Sequence, residues 1–457
     1  MQFTIKEICQ ALGSELVTVE SAAPDIVFSG ISTDTRTVKP GDLFVALIGE
    51  RFNGHDFLTK AVASGAAGLV VQDVCPAGPL KLPVITVGNT LKALQNIARF
   101  HRLRYSIPVI AITGSNGKTT TKDMTAAILA SRRSVLKTQA NYNNEIGLPL
   151  TLLNLTEKHE AAVVEMGMRG LGEIKELAGI ALPTVGVITN VGETHMELLG
   201  SLDNIAAAKA ELVEAIPPEG LIVLNADNPH VLAMAGKARG SVLTYGLTEQ
   251  ADIRASEVVL GDGGSTFTCH VGAETFPVTV PALGRHNVFN ALAAISVGSA
   301  LGLQPVDIQR GLAAFETAAM RLAVTKVSDY VVINDAYNAS PASMAAAVDT
   351  LVDIAPNRAV AVLGDMLELG DIAVEAHRHI GRRLANSGTG LVVTVGELAG
   401  EIAGAAREHG VQEVFACRDH AAAKQILADK LRPGDTILIK GSRGMKMEQI
   451  LEILGNH

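Results

Sequence analysis

The sequence predicts a multidomain α/β protein: a small leading domain over residues 1–84, a central domain over 85–316 built on a mostly parallel sheet, and a C-terminal α/β domain over 317–457. Three observations predict it. The chain's 457 residues correspond to about three domains of usual size. From Thr113 onward strand-length apolar runs alternate with helical spacing, and a second series of that kind begins near Arg321. Early in the central domain, Ile110-Ala111-Ile112-Thr113-Gly114-Ser115-Asn116-Gly117-Lys118-Thr119-Thr120-Thr121 reads in succession as a buried strand, a glycine loop and a helix start.

In the leading domain, short strands are expected at 26–31, 43–46, 69–71 and 84–87 around a helix at 57–64, and a helix over 91–104 links it to the strand before the glycine loop. The central series continues with strands at 161–165, 184–190 and 220–225. Gly261-Asp262-Gly263-Gly264 introduces an alternating segment, 265–280, read as antiparallel strands with tight turns. Helical spacing returns at 287–301. The last domain carries strands at 330–334, 359–363, 391–395, 413–416 and 436–439, a Rossmann-like order.

Composition narrows the function. Apolar residues make up 48% and charged residues 19%, which argues against disorder, and the apolar runs at 360–363 and 391–395 are too short to span a bilayer. No basic region followed by an apolar stretch opens the chain, so a cytoplasmic product is expected. The formal charge of −9, the lack of basic blocks and the absence of Trp argue against a nucleic-acid partner. Cys9, Cys75, Cys269 and Cys417 show no CxxC spacing and are expected to be buried, inert thiols.

The glycine loop is the strongest chemical signal. Gly114 and Gly117 let backbone N–H groups turn toward oxyanions, Lys118 supplies a point charge for β/γ-phosphates, and the Thr119 hydroxyl suits Mg²⁺. Ser115, Asn116 and Thr120 complete the cradle, whose expected ligand is ATP or GTP. The usual P-loop spacing would need glycine at position 112, where Ile112 stands, so the loop is a shortened variant. Behind such a loop, Glu165 at the end of an apolar strand is placed to meet Mg²⁺, against the plainer reading of a solvent-facing strand end. His195, after Thr189-Asn190-Val191-Gly192-Glu193-Thr194, suits a metal or phosphate, or is merely an exposed loop histidine.

Other candidates are weaker from the residues alone. Lys209, on a helix over 205–215, reads as an ordinary solvated lysine. Asn334-Asp335-Ala336-Tyr337-Asn338-Ala339-Ser340-Pro341 and Lys440-Gly441-Ser442-Arg443-Gly444 each follow a strand of the last sheet, with Asp335 placed for a ribose hydroxyl or a metal; each alone reads as a plain turn, but the two together, at C-terminal strand ends of one sheet, are less easily dismissed. His377 and His379 face different directions on a helix, so no metal site is expected there, and Asp227-Asn228-Pro229-His230 reads as a turn into a helix.

Taken together, Thr113 through Thr120, Asn141-Tyr142-Asn143-Asn144-Glu145-Ile146-Gly147, Glu165-Met166-Gly167, Thr189-Asn190-Val191-Gly192 and Leu283-Gly284-Arg285-His286-Asn287 resemble the Mur ligase family over essentially the whole chain. Ser32-Thr33-Asp34-Thr35-Arg36, Gly41-Asp42-Leu43-Phe44-Val45-Ala46-Leu47 and Gly49-Glu50-Arg51 resemble that family's UDP-binding domain. The resemblance implies an ATP- and Mg²⁺-dependent amide ligase of peptidoglycan precursor synthesis, expected as a monomer. The run 334–341 looks like the member that joins D-alanyl-D-alanine to UDP-MurNAc-tripeptide. An Asp-Asn-Pro-Arg motif, which marks the preceding ligase, is not found in the last domain.

By the same resemblance, Lys118 and Thr119 hold phosphates and the first Mg²⁺, while Glu165, His195 and a carbamylated Lys209 belong to the metal shell. Asn287 meets adenine, Arg321 the phosphates and Asp335 the ribose. Ser32, Thr33, Asp34, Arg36 and Asn144 belong to the UDP-substrate, and Tyr337, Asn338 and Ser340 to the dipeptide. Two other readings fit the phosphate loop. A folylpolyglutamate-type ligase would share Lys118 and Glu165 but lack the 32–47 segment. A P-loop regulatory ATPase would hydrolyse ATP with no amino-acid acceptor.

Overall fold

A computed structural model describes residues 2–20, 25–50, 52–72, 82–261 and 263–454; Arg51, Cys75 and Asp262 lie outside the described residues. Three sheets carry the fold. The leading sheet sets Gly30–Ser32, Asp42–Val45, Gly68–Val71 and Val84–Val87 in parallel, with Leu16–Glu20 antiparallel at one edge. In the nine-stranded central sheet, Val109–Thr113 lies between Ala161–Glu165 and Val185–Ile188, all parallel. Leu221–Asn225, Ser241–Gly246 and Ile253–Gly261 continue the parallel set, and Gly264–Val271 with Glu274–Val280 closes it as an antiparallel ribbon. The C-terminal sheet runs Ala323–Val327, Tyr330–Asp335, Thr436–Lys440, Ala359–Gly364, Leu391–Val395 and Glu413–Cys417, antiparallel only at its first pair.

Side-chain alternation explains why the central strands are apolar throughout. Ile110 and Ile112 face a layer with Met124, Ile128 and Leu292 from helices Lys118–Ala130 and Arg285–Ala300. Val109 and Ala111 face the opposite layer, with Leu94 and Ile97 of helix Thr90–Arg102, Ile174 and Leu212. A strand covered on both faces has no polar side. The second layer also contains Phe3, Ile8, Leu43 and Ile85, so the leading and central domains share one continuous core.

The expected strand-helix series is present with small shifts of bounds, except that the strand expected at 26–31 is two, Val27–Phe28 paired antiparallel with Phe3–Thr4 and Gly30–Ser32 in the leading sheet. Strands at Leu16–Glu20, Val135–Lys137, Ser241–Gly246, Ile253–Gly261 and Ala323–Val327 were not anticipated. The first, second and last are short, and each has at most half-buried side chains, so neither length nor apolarity marks them. Cys269 and Cys417 are buried as expected, but Cys9 is half-buried: it lies on helix Ile5–Leu12 beside the inward stripe of Ile5, Ile8 and Leu12. Among the described residues, no helix is long and apolar enough to cross a membrane.

Candidate active site

The chain enters the central sheet at Val109–Thr113, builds one side and then crosses to the other, so the loop after that strand lies at a switch point between Glu165 and Thr189. Ligands of open α/β sheets bind at this position. Gly114, with φ of 151°, has no room for a side chain: a Cβ there would stand 1.9 Å from the Thr189 hydroxyl. Thr189 Oγ1 and Asn190 Nδ2 donate to the Asn116 carbonyl at 2.6 and 3.0 Å, and Asn116 N–H donates to Asn190 Oδ1 at 2.9 Å. Ser115 Oγ bonds Gly192 and accepts from Thr194. The 189–194 loop therefore braces the phosphate loop from behind, a role that sequence reasoning did not assign to it.

Glu165 is buried, not solvent-facing. Thr119 Oγ1 donates to Oε2 and Asn143 Nδ2 to Oε1, each at 2.8 Å, and the Glu165 N–H is held by Thr138 Oγ1. Two hard oxygens are thus brought together at the start of helix Lys118–Ala130, as one Mg²⁺ would require. Among the described residues no three His, Cys, Asp or Glu side chains gather into a metal cage. The pair suits Mg²⁺ that takes its remaining ligands from phosphate and water, the usual way this ion is bound.

Lys118 Nζ donates to the Gly114 and Ser115 carbonyls at 2.7 and 3.2 Å. Desolvation lowers its pKa, against the pull of Glu165. Lys209 is 2% exposed, which overturns its reading as a solvated helix lysine. Ile205, Leu212 and Val213, buried on the same helix Leu202–Ala215, lie at positions −4, +3 and +4 from it. Position alone could have found it: Lys209 occupies the apolar stripe. Burial, with Lys118 nearby, holds its pKa well below the ordinary lysine value.

The C-terminal sheet turns its own strand ends toward this loop, leaving a cleft of about 930 Å³ between them. Asp335 lines it, accepting from Leu322 N–H and from Lys440 Nζ, which is 2% exposed and also donates to the Asn338 carbonyl at 2.9 Å. The Arg321 guanidinium stacks 4.0 Å above the Tyr337 ring. Asn287 is buried against the loop through Asn290, whose Oδ1 accepts from Thr121. Ser340 caps helix Pro341–Ile354, and its Oγ donates to Asn116 Oδ1 at 3.0 Å, joining the two domains. A second crossing is His195 Nδ1 to Glu368 Oε2 at 2.6 Å; no motif pointed to Glu368.

Lys118, Thr119, Thr120, Glu165, His195, Lys209, Asn144, Asn287, Arg321, Asp335, Tyr337, Asn338 and Ser340 thus line one cleft, together with His286, which sequence reasoning passed over. Ser32, Thr33, Asp34 and Arg36 do not line it. They form a separate turn, where Arg36 holds the Asp34 carboxyl down at about 2 and the Ser32 hydroxyl donates to the Asp34 carbonyl.

Fold and cleft define a phosphate-binding α/β enzyme assembled from two facing sheets. Residues 27–102 match the Mur ligase family catalytic domain, 112–298 the Mur ligase middle domain and 320–443 the Mur ligase glutamate ligase domain. A UDP-N-acetylmuramoyl-tripeptide--D-alanyl-D-alanine ligase of Bacillus subtilis is 39% identical over 99% of this chain and 98% of its own length. Among solved structures, crystal structure I of MurF from Acinetobacter baumannii superposes with a TM-score of 0.92 at 32% identity, covering 100% of this chain and 99% of that one. A MurF ligase from Thermotoga maritima in complex with ADP gives 0.84 at 28%, covering 93% and 97%. The chain belongs to the Mur ligase family.

Proposed function

We propose that this protein is the ATP-dependent ligase that joins D-alanyl-D-alanine to UDP-MurNAc-tripeptide in cytoplasmic peptidoglycan precursor synthesis, working as a monomer. The observation that carries the reading is the convergence of two sheet edges on one cleft, the phosphate loop on one side and Asp335 through Ser340 on the other. Full-length similarity to ligases of this name supports it. Residues 1–84 would take the UDP moiety, 85–316 ATP, and 317–457 the incoming dipeptide.

A carboxylate does not accept an amine directly, so the tripeptide carboxylate first takes the γ-phosphoryl group of ATP as an acyl phosphate. The neutral dipeptide amine then attacks the acyl carbon, and the tetrahedral species gives up a proton from nitrogen to solvent and expels phosphate, leaving an amide. Lys118 and the backbone N–H groups of 117–119, at the start of the helix, bind the phosphates and meet the charge that develops on the moving phosphoryl group. Asn287 and Asp335 orient adenosine, Arg321 the phosphate chain, and Tyr337, Asn338 and Ser340 the dipeptide. Thr119, Glu165, His195 and Lys209, the last as its carbamate, would hold Mg²⁺, which supplies charge neutralisation on the phosphate oxygens when bound.

The test is phosphate release with ATP, Mg²⁺ and UDP-MurNAc-tripeptide, with and without D-alanyl-D-alanine. Release that depends on the dipeptide and matches amide formed is expected. Release indifferent to the dipeptide would overturn the reading in favour of a plain ATPase.

A further inference from the structure

We infer that Glu368, on the C-terminal domain, is a positioning residue that sets the tautomer of His195 on the central domain; the inference rests on the proposed ligase reading only for its consequence, not for its geometry. An ionised carboxylate only accepts hydrogen bonds, so the 2.6 Å contact with Glu368 Oε2 puts the ring hydrogen on Nδ1 of a neutral His195. Nε2 is left with its lone pair, the form that can ligate a metal. Metal-binding histidines characteristically donate their other ring N–H to a carboxylate or carbonyl that fixes the ring. Here that partner comes from another domain.

The plainer reading is a surface ion pair. Glu368 is 52% exposed in its side chain, so as a contributor to stability the pair would count for little. The loop that carries it is nevertheless built for the contact. Met366 N–H donates to His377 Nε2 at 2.9 Å, and the fully buried His377 is itself fixed by donating from Nδ1 to the Ala373 carbonyl. Leu367 N–H donates to Ser442 Oγ at 2.8 Å, Ser442 N–H to the Asp365 carbonyl, and Ala399 N–H to Asp365 Oδ1.

On the other side the Glu368 carbonyl accepts from Glu197 N–H at 3.2 Å, two residues beyond His195. Gly370, with φ of 56°, lets the chain pass so close that a Cβ would stand 3.2 Å from Glu197 Cα. Glu368 and His195 both hold left-handed backbone, at φ of 63° and 55°, a conformation that costs a non-glycine residue energy and needs support from its surroundings. Anchors on the C-terminal domain and a two-point contact with the central one define Glu368 relative to His195. The ligating form of His195 is thereby tied to docking of the domain that brings the dipeptide.

The test is ¹⁵N–¹H correlation of ring nitrogens in [¹⁵N]histidine-labelled full-length protein without nucleotide, at a pH where the ring is neutral, with His195 assigned by the loss of its signals in His195→Gln. The expected pattern is Nδ1–H in the parent and in Glu368→Gln, whose amide oxygen can still accept, and loss of that preference in Glu368→Ala. As a second readout, Mn²⁺ affinity in the presence of ADP, followed by electron paramagnetic resonance, should weaken about 10-fold or more in Glu368→Ala and recover in Glu368→Gln. An Nε2–H pattern in the parent, or Nδ1–H retained in Glu368→Ala, overturns the inference. Neither result depends on dipeptide ligation, so it stands or falls apart from the phosphate-release assay.

Discussion

Lys209 and Lys118 line one cleft, and Lys209, a buried residue, makes no hydrogen bond or ion pair among the described residues. A buried, unpaired cation beside another cation is unfavourable, and proteins relieve it by losing the proton. A neutral amine is the form that adds CO₂, and in the proposed ligase the carbamate so formed would offer Mg²⁺ a carboxylate in place of an ammonium that would repel it. Lys209→Ala should therefore lose at least about 100-fold in ligation, the scale of a lost charge-stabilising group. Acetate at high concentration should restore part of that rate by occupying the vacated space. Lys209→Arg should stay inactive, because guanidinium keeps its charge and cannot be carbamylated. An active Arg variant would return Lys209 to a packing role.

Lys118→Ala removes a point charge and its bonds to the Gly114 and Ser115 carbonyls from a loop that Thr189, Asn190 and Gly192 also hold in shape. The loss in ligation rate should be about 10²- to 10³-fold, with the melting temperature close to that of the parent. Turnover within a factor of about two of the parent would remove Lys118 from the mechanism.

The legible parts of the molecule are those where burial is two-sided. Ala161–Glu165 and Leu391–Val395 were anticipated residue for residue because every side chain in them is buried, which leaves an unbroken apolar signal. Ser241–Gly246 alternates poorly and has three of its six residues half-buried, so its pairing with Leu221–Asn225, a long-range fact, decides its structure. The site divides the same way. The glycine loop has its own local signature. Glu368, by contrast, acquires meaning only when the C-terminal sheet faces the central one, a relationship 173 residues apart in the chain that no local pattern encodes.

The buried Lys440 and the half-buried Asp335 form an ion pair at adjacent strand ends of the C-terminal sheet. Removing the lysine leaves a half-buried carboxylate on the cleft wall without its cation, which costs about 1–3 kcal/mol. Lys440→Met should accordingly destabilise the C-terminal domain in urea unfolding, whereas Lys440→Met combined with Asp335→Asn should recover much of the loss, since no lone charge remains. A double variant as unstable as the single one would show that Lys440 acts through its bond to the Asn338 carbonyl instead.

His101 provides a pH test of the core shared by the leading and central domains. Its ring lies 5.2 Å from both Phe3 and Tyr105, and Nε2 donates to the Leu155 carbonyl at 3.0 Å, while Nδ1 is buried without a partner among the described residues. Burial, reinforced by Arg104 and opposed by the Leu155 bond, pushes its pKa from 6.5 down to about 4. Between those values the unfolded chain binds a proton that the folded chain refuses. Stability from this residue is therefore whole above pH 6.5 and is lost as pH falls toward about 4, by up to about 3 kcal/mol. His101→Phe keeps an aromatic ring against Phe3 and removes the titration. Its urea midpoint should fall less steeply between pH 6.5 and 4.5 than the parent's, after a small loss at neutral pH from the missing hydrogen bond. Equal slopes in the two proteins would place the acid sensitivity of this core elsewhere.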